Sequence, residues 1–228
     1  MKSKLLHYFS KGEILLWCSS VTLILVAFLL FDREGYLSLV SSLVGVTSII
    51  FCAKGNPLGQ LLMIIFSLFY GGISFTFAYY GEMITYLGMT APMAIFALVS
   101  WLRNPYKGNH SEVRVSRIRG REVAFLFVLT AAVTVVFYFV LGAVHTTNLL
   151  TSTFSVATSF FAAYLTARRS PYFALAYAVN DVVLIILWIM AALKDPSYLS
   201  MIVCFVAFLA NDLYSFSSWL RMQKRQGE

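Results

Sequence analysis

Two Asn–Asp pairs lie near the middle of apolar stretches that are long enough to cross a bilayer as helices. Asn180 and Asp181 interrupt residues 171–190, and Asn211 and Asp212 interrupt the next stretch along the chain. A charged side chain is costly at that depth, and no Lys or Arg lies deep in any apolar stretch to neutralise the aspartates. The carboxyl groups are therefore protonated, or they face a cation or a donor-rich ligand, which indicates a substrate or ion pathway. The alternative is a protonated aspartate that only holds helices together.

Aromatic and amide side chains near these pairs extend the candidate site. Aromatic rings can stack on a flat or cationic ligand, and Asn side chains can hydrogen-bond to sugar hydroxyls or to a carboxamide. We predict no catalytic and no metal-ligating residue, and a substrate-binding set of Tyr177, Asn180, Asp181, Trp188, Asn211, Asp212, Tyr214, Tyr70, Phe96 and Ser67. Each ring could instead serve in ordinary packing, and we expect Trp101 and Trp219 to be anchors at the membrane interface.

The composition is that of an integral membrane protein. Hydrophobic residues make up 60% of the chain and charged residues 12%, whereas about a quarter of a soluble domain is charged. A net charge of +7 then reflects basic loops on one side of a membrane, and we expect no nucleic-acid partner. The histidines are scattered, the cysteines lack metal-ligand spacing and no phosphate-binding loop occurs. These features predict no cofactor and no enzyme activity.

The apolar pattern predicts an all-α integral membrane protein with eight transmembrane helices. Their predicted ranges are 14–31, 36–53, 58–80, 83–102, 123–144, 149–167, 171–190 and 198–219. We expect Gly81 and Glu82 to form a tight turn between the third and fourth spans, and Pro92 to kink the fourth. Residues 103–122 form one long polar loop.

The basic residues predict the orientation. Fifteen of the 17 Lys and Arg residues, all except Arg33 and Lys194, lie on one side of eight alternating spans. The positive-inside rule then places both termini in the cytoplasm.

Two pairs of short matches indicate an internal repeat. Ala-Lys-Gly-Asn-Pro at 53–57 matches Ala-Arg-Arg-Ser-Pro at 167–171, and Ser-Trp-Leu-Arg occurs at both 100–103 and 218–221. Spans two to four therefore match spans six to eight, in the same direction, with span five as the link. This 3+1+3 layout of parallel repeats is SWEET-like. The predicted segments are 1–35 (N-terminus and extra helix), 36–102 (first repeat), 103–148 (basic loop and linker helix), 149–221 (second repeat) and 222–228 (tail).

The chain resembles the Pnu family of vitamin-precursor transporters over residues 36–221. The resemblance is carried by Asn56-Pro57, the run GQLLMIIFSLFYGGISFTFAYYGEM, Ala-Pro-Met at 91–93 and the first Ser-Trp-Leu-Arg. It implies a multi-pass protein of the bacterial inner membrane, a homotrimer, and facilitated diffusion of a small substrate that a cytoplasmic kinase then traps by phosphorylation.

The family resemblance leaves the substrate open. Nicotinamide riboside is the first expectation, because its pyridinium is cationic and would oppose the unpaired aspartates. Members that carry it have Trp-x-x-Trp before the aspartate of the seventh span, where this chain has Ala174 and Tyr177, and a glutamine where it has Ala94. Thiamine, riboflavin, a deoxynucleoside or a proton-coupled mechanism remain alternatives.

Overall fold

Eight helices of the chain are long and apolar enough to cross a membrane, as predicted. The computed structural model describes residues 8–76, 80–146 and 148–227, and the count refers to those residues. The helices are α1 (Lys11–Phe31), α2 (Tyr36–Ala53), α3 (Leu58–Thr76), α4 (Tyr80–Leu102), α5 (Gly120–Ala143), α6 (Leu149–Ala167), α7 (Tyr172–Ala192) and α8 (Leu199–Gly227). The extreme ends of the predicted cytoplasmic termini, residues 1–7 and 228, lie outside this description.

Six of the helices form a closed ring, which is what creates an interior. Going around it, α2 packs against α3, α3 against α4, α4 against α6, α6 against α7, α7 against α8, and α8 back against α2. Helix α1 packs outside the ring against α8 and α2, and α5 packs outside it against α6. The ring therefore consists of α2–α4 and α6–α8, and α1 and α5 lie at its periphery.

Helices α2 and α6 end in the same way. Gly55 after α2 and Arg169 after α6 both have positive φ, at 66° and 59°. The next residue in each case donates its N–H back to a carbonyl five positions earlier, from Asn56 to Phe51 at 3.1 Å and from Ser170 to Leu165 at 3.0 Å. This left-handed termination satisfies carbonyls at the helix end and turns the chain sharply.

Helix α4 is interrupted in the middle. It runs as an α-helix from Tyr80 to Thr85, as a π-helix over Tyr86–Thr90 and again as an α-helix from Ala91 to Leu102. Pro92 follows the π segment and has no N–H to return to the preceding turn. The kink predicted at Pro92 stays a prediction, and the π segment just before it is a feature that often coincides with a functional site.

The polar loop at 103–122 contains a short β-hairpin in addition to the predicted helices. Pro105–Tyr106 (β1) and Asn109–Val113 (β2) form a two-stranded antiparallel hairpin, with Tyr106 opposite Asn109. The two residues between the strands, Lys107 and Gly108, have φ of 49° and 78°, as a type I′ turn requires. Sequence reasoning missed the hairpin because Lys-Gly is a weaker signal than Asn-Gly and the strands show no apolar alternation.

Candidate functional site

A cavity lies at the centre of the helix ring. Its volume is about 50 Å³, and it is lined by every ring helix and by no described residue of α1 or α5. Among the described residues that line it there is no Lys, Arg or His. The polar side chains around it are Gln60, Thr90, Ser159, Tyr86, Tyr177, Asn180, Asp181 and Asp212. We call this space the central cavity.

Asp181 and Asp212 meet in the central cavity. Asp181 on α7 is 3% exposed and Asp212 on α8 is 5% exposed, and their carboxyl groups lie close together in the cavity that both side chains line. Neither forms an ion pair in the described part of the chain, and the Oδ2 atom of Asp181 finds no hydrogen-bond donor there. Two adjacent carboxylates repel each other. The pair therefore needs a shared proton or an opposing cation.

Asn180 supplies a fixed amide beside the carboxyl pair. Its Oδ1 atom accepts hydrogen bonds from Thr158 Oγ1 at 2.8 Å and from Ser159 Oγ at 2.9 Å, both on α6. Because the oxygen is occupied in this way, the amide N–H groups remain as donors. Tyr177, almost one turn earlier on α7, also lines the central cavity. Tyr177, Asn180 and Asp181, all members of the predicted substrate-binding set, therefore line the same cavity.

The structure separates Asn211 and Tyr214 from the central cavity. The amide nitrogen of Asn211 donates to Ser20 Oγ on α1 at 2.8 Å, and the Tyr214 hydroxyl donates to Glu13 Oε1 at 2.9 Å. Consecutive residues on a helix point about 100° apart. With Asp212 facing the cavity, Asn211 is therefore turned toward α1. The prediction that Asn211 and Tyr214 belong to the substrate-binding set is therefore wrong, because neither side chain lines the cavity.

Phe96 and Ser67 also lie away from the central cavity. Phe96 is 71% exposed on the outer surface of α4, where an apolar ring can contact lipid, so its assignment to the site was wrong. Ser67 is buried, and its hydroxyl donates to the Met63 carbonyl of the same helix at 2.8 Å. Since this bond satisfies the Ser67 hydroxyl within α3, the residue has a structural role.

Tyr70 and Trp188 line a second space, at the end of the bundle opposite the basic loops. We call that end the outer end and this space the vestibule. The vestibule has a volume of about 470 Å³ and carries the acidic residues Asp32, Glu34 and Asp195. The backbone N–H of Ser197, together with its side chain, lowers the pKa of the exposed Asp195 carboxyl, so that group is ionised at neutral pH.

Aromatic clusters close the central cavity at both ends. Toward the vestibule, the Tyr70 ring lies 4.3 Å from the Tyr86 ring, and Phe66 lies 5.9 Å from Tyr86, measured between centroids. Toward the basic loops, Trp219 lies 4.9 Å from Phe173 and 5.4 Å from Trp101. We call these the outer and inner aromatic clusters.

Trp101 and Trp219 are not interface anchors, contrary to expectation. Both are fully buried. The indole N–H of Trp101 donates to the Thr166 carbonyl, and that of Trp219 donates to the Cys52 carbonyl, each at 2.8 Å. An amphipathic ring can lie at the interface or deep in a core, and the sequence does not distinguish these positions.

Several residues near the site were not predicted. Gln60 and Thr90 line the central cavity, and Glu82, expected in an exposed turn, is only 9% exposed on the first turn of α4. A Gln within the apolar run after Pro57 was a usable signal. Thr90 carried none, because Thr satisfies its hydroxyl on its own helix as often as it faces a ligand.

The comparisons with known proteins agree on a transporter. A family model described as nicotinamide mononucleotide transporter matches residues 35–221. A nicotinamide riboside transporter, PnuC of Neisseria mucosa, is 24% identical over 199 residues, which cover 86% of this chain and 76% of that protein. A crystal structure of the vitamin B3 transporter PnuC superimposes with a TM-score of 0.83 at 22% identity, covering 96% of this chain and 94% of that one. The two chains share the same fold.

Proposed function

The chain belongs to the nicotinamide mononucleotide transporter family, and we propose that the substrate of this membrane transporter is nicotinamide riboside. The absence of basic residues around the central cavity carries this choice. A mononucleotide would bring a phosphate group, with a charge of about −1.5 to −2, against Asp181 and Asp212. The riboside lacks that phosphate and brings a permanent pyridinium cation, which the two carboxyl groups attract.

The other polar groups of the central cavity suit a riboside. The amide N–H groups of Asn180 can donate to ribose or carboxamide oxygens, and Gln60 and Thr90 offer further hydrogen bonds. Tyr177 can stack on a flat cationic ring. Thiamine, with a cationic thiazolium, is the nearest alternative, whereas riboflavin or a neutral deoxynucleoside would leave the carboxyl pair without an opposing charge.

The closed cavity implies alternating access. A volume of about 50 Å³ is well below the roughly 300 Å³ of a small ligand pocket. Substrate entry therefore requires the outer aromatic cluster to part, and release requires the inner cluster to part. We propose facilitated diffusion, with a cytoplasmic kinase phosphorylating the riboside so that the charged product cannot return.

Proton coupling is the second candidate, because the facing carboxyl groups could share and carry a proton. The two mechanisms differ in their response to a pH gradient. Proteoliposomes with an imposed pH gradient should take up labelled nicotinamide riboside only to the external concentration if transport is facilitative. Accumulation above that concentration, lost when the gradient is dissipated, would establish the proton-coupled mechanism.

The architecture we propose is a pair of parallel three-helix repeats joined by α5, in a SWEET-like arrangement. The tryptophan bonds support it. Trp101 of the first unit bonds to Thr166 of the second, and Trp219 of the second bonds to Cys52 of the first. Trp219 is the repeat equivalent of Trp101, as Thr166 is of Cys52. The bonds are thus exchanged reciprocally, as a twofold relation between units requires.

Placement in the bacterial inner membrane follows from the family and the eight apolar helices. We propose that both termini and the hairpin lie in the cytoplasm, on the side that collects the basic residues. A cysteine introduced after Gln226 should then be protected from an impermeant thiol reagent in intact cells.

We also propose a homotrimer. An apolar groove of about 610 Å³ runs between α5 and the α6–α7 pair, and α5 has few buried residues within one chain. Neighbouring copies could fill this groove. Native mass spectrometry in mild detergent should give three times the chain mass, and a monomer at all concentrations would contradict the assembly.

The direct test of the substrate is counterflow in proteoliposomes with a panel of vitamins. We expect exchange of nicotinamide riboside and little exchange of nicotinamide mononucleotide. Exchange of the mononucleotide at an equal rate would contradict the charge argument.

A further inference from the structure

Glu82 is a buried carboxylate outside the central cavity. It lies on the first turn of α4, is 9% exposed and lines a separate cavity of about 160 Å³ at the outer end, here called the Glu82 cavity. In the described residues its carboxylate takes part in no ion pair. A buried carboxylate without an ion-pair partner is costly and marks a functional position by default.

Aromatic rings form another wall of the Glu82 cavity. Trp188 and Tyr198 both line it, with ring centroids 5.4 Å apart. His145 and Lys194 also line it, but neither lies within ion-pair distance of Glu82. A carboxylate facing Trp and Tyr rings is the environment that binds flat organic cations.

The Glu82 cavity lies beside the route from the vestibule to the central cavity. Trp188 and Tyr198 line the vestibule as well. One turn of α4 beyond Glu82, Tyr86 belongs to the outer aromatic cluster and lines the central cavity. A cation held at Glu82 would therefore be next to the barrier that must open.

We propose that Glu82, Trp188 and Tyr198 form an outer subsite that binds the cationic ring of the substrate before it enters the central cavity. This rests on the proposed function, because it requires a cationic substrate. The volume of about 160 Å³ is below that of a whole small-ligand pocket, so the subsite takes the ring and leaves the ribose in the vestibule.

The test compares Glu82→Gln with the wild type in proteoliposomes, using nicotinamide riboside and its reduced dihydro form. The two nucleosides have nearly the same shape, but only the oxidised form is cationic. We expect the KM for the cation to rise about tenfold, equivalent to about 1.4 kcal/mol, with the KM for the neutral form unchanged. Glu112→Gln, which removes a carboxylate on the hairpin at the opposite end of the bundle, is the control and should leave both values within twofold.

Equal KM values in wild type and Glu82→Gln, or equal shifts for both nucleosides, would overturn the subsite. If Glu82→Gln does not fold, Trp188→Leu is tested instead. We expect it to raise the KM for the cationic nucleoside and to leave the KM for the neutral one unchanged. An unchanged KM for the cation would count against the subsite. If the wild type does not exchange nicotinamide riboside, the proposed substrate fails separately. In that case the subsite is tested by the binding of 1-methylnicotinamide to detergent-solubilised protein. Loss of binding in Glu82→Gln supports the subsite, and equal binding by wild type and Glu82→Gln overturns it.

Discussion

Replacing Asp212 with Asn removes one of the two facing carboxyl groups of the central cavity with little change in side-chain size. No basic residue lines that cavity in the described part of the chain, so the charge of a bound pyridinium would be balanced by the carboxyl pair alone. A hydrogen bond or close contact to a charged group contributes about 2 kcal/mol. At 1.4 kcal/mol for each tenfold change, the affinity for nicotinamide riboside should fall by about thirtyfold.

The same substitution should stabilise the protein in the absence of ligand. Asp181 and Asp212 are buried and lie in contact, and adjacent carboxyl groups disfavour each other's charge. An Asn at 212 can donate a hydrogen bond to Asp181, whose Oδ2 atom otherwise has no donor in the described residues. We therefore expect a higher Tm together with weaker binding, and Asp181→Asn should act in the same direction.

Isothermal titration calorimetry and thermal unfolding in detergent measure both effects on one preparation. Glu112→Gln is the matched control, because that acid lies on the hairpin, pairs with Arg225 and does not line the central cavity. It should leave the affinity unchanged. Unchanged affinity in both aspartate variants, with a lower Tm, would refute the reasoning and make the pair a packing contact.

The remaining predictions concern the closing clusters, the amide and α1. Trp219→Phe should lower the free energy of unfolding by about 1–2 kcal/mol, because a buried carbonyl loses its donor; chemical unfolding measures it, and Trp101→Phe should give a similar loss. Asn180→Ala should raise the KM for nicotinamide riboside about tenfold through a lost hydrogen bond, as uptake kinetics would show. Glu13→Gln weakens the ion pair with Lys54, in which Nζ and Oε2 are 3.4 Å apart. It should lower Tm and leave the substrate affinity measured by calorimetry unchanged.

The helices could be predicted from the sequence because each apolar run has bilayer length and each connection is polar. The proposed repeat rests on the identical tetrapeptides in which Trp101 and Trp219 lie. The burial of these two tryptophans could not be predicted, because hydropathy alone does not distinguish a lipid interface from a protein core.

The candidate site was predicted only in part. Intramembrane carboxylates are rare enough that Asp181 and Asp212 could be selected by type. Whether Asn211 or Asp212 faces the cavity depends on the rotation of α8 about its axis, and packing against α1 determines that rotation. Asn211 was therefore assigned incorrectly. Glu82 was missed because its position beside Gly81 indicates a turn, whereas the structure starts α4 before it.

A structure with nicotinamide riboside bound would show whether the carboxyl pair receives the substrate. We expect the pyridinium ring between Asp181 and Asp212, in a central cavity enlarged from about 50 Å³, with the two carboxyl groups no longer in contact. A ligand bound elsewhere, with those carboxyl groups still touching, would contradict it.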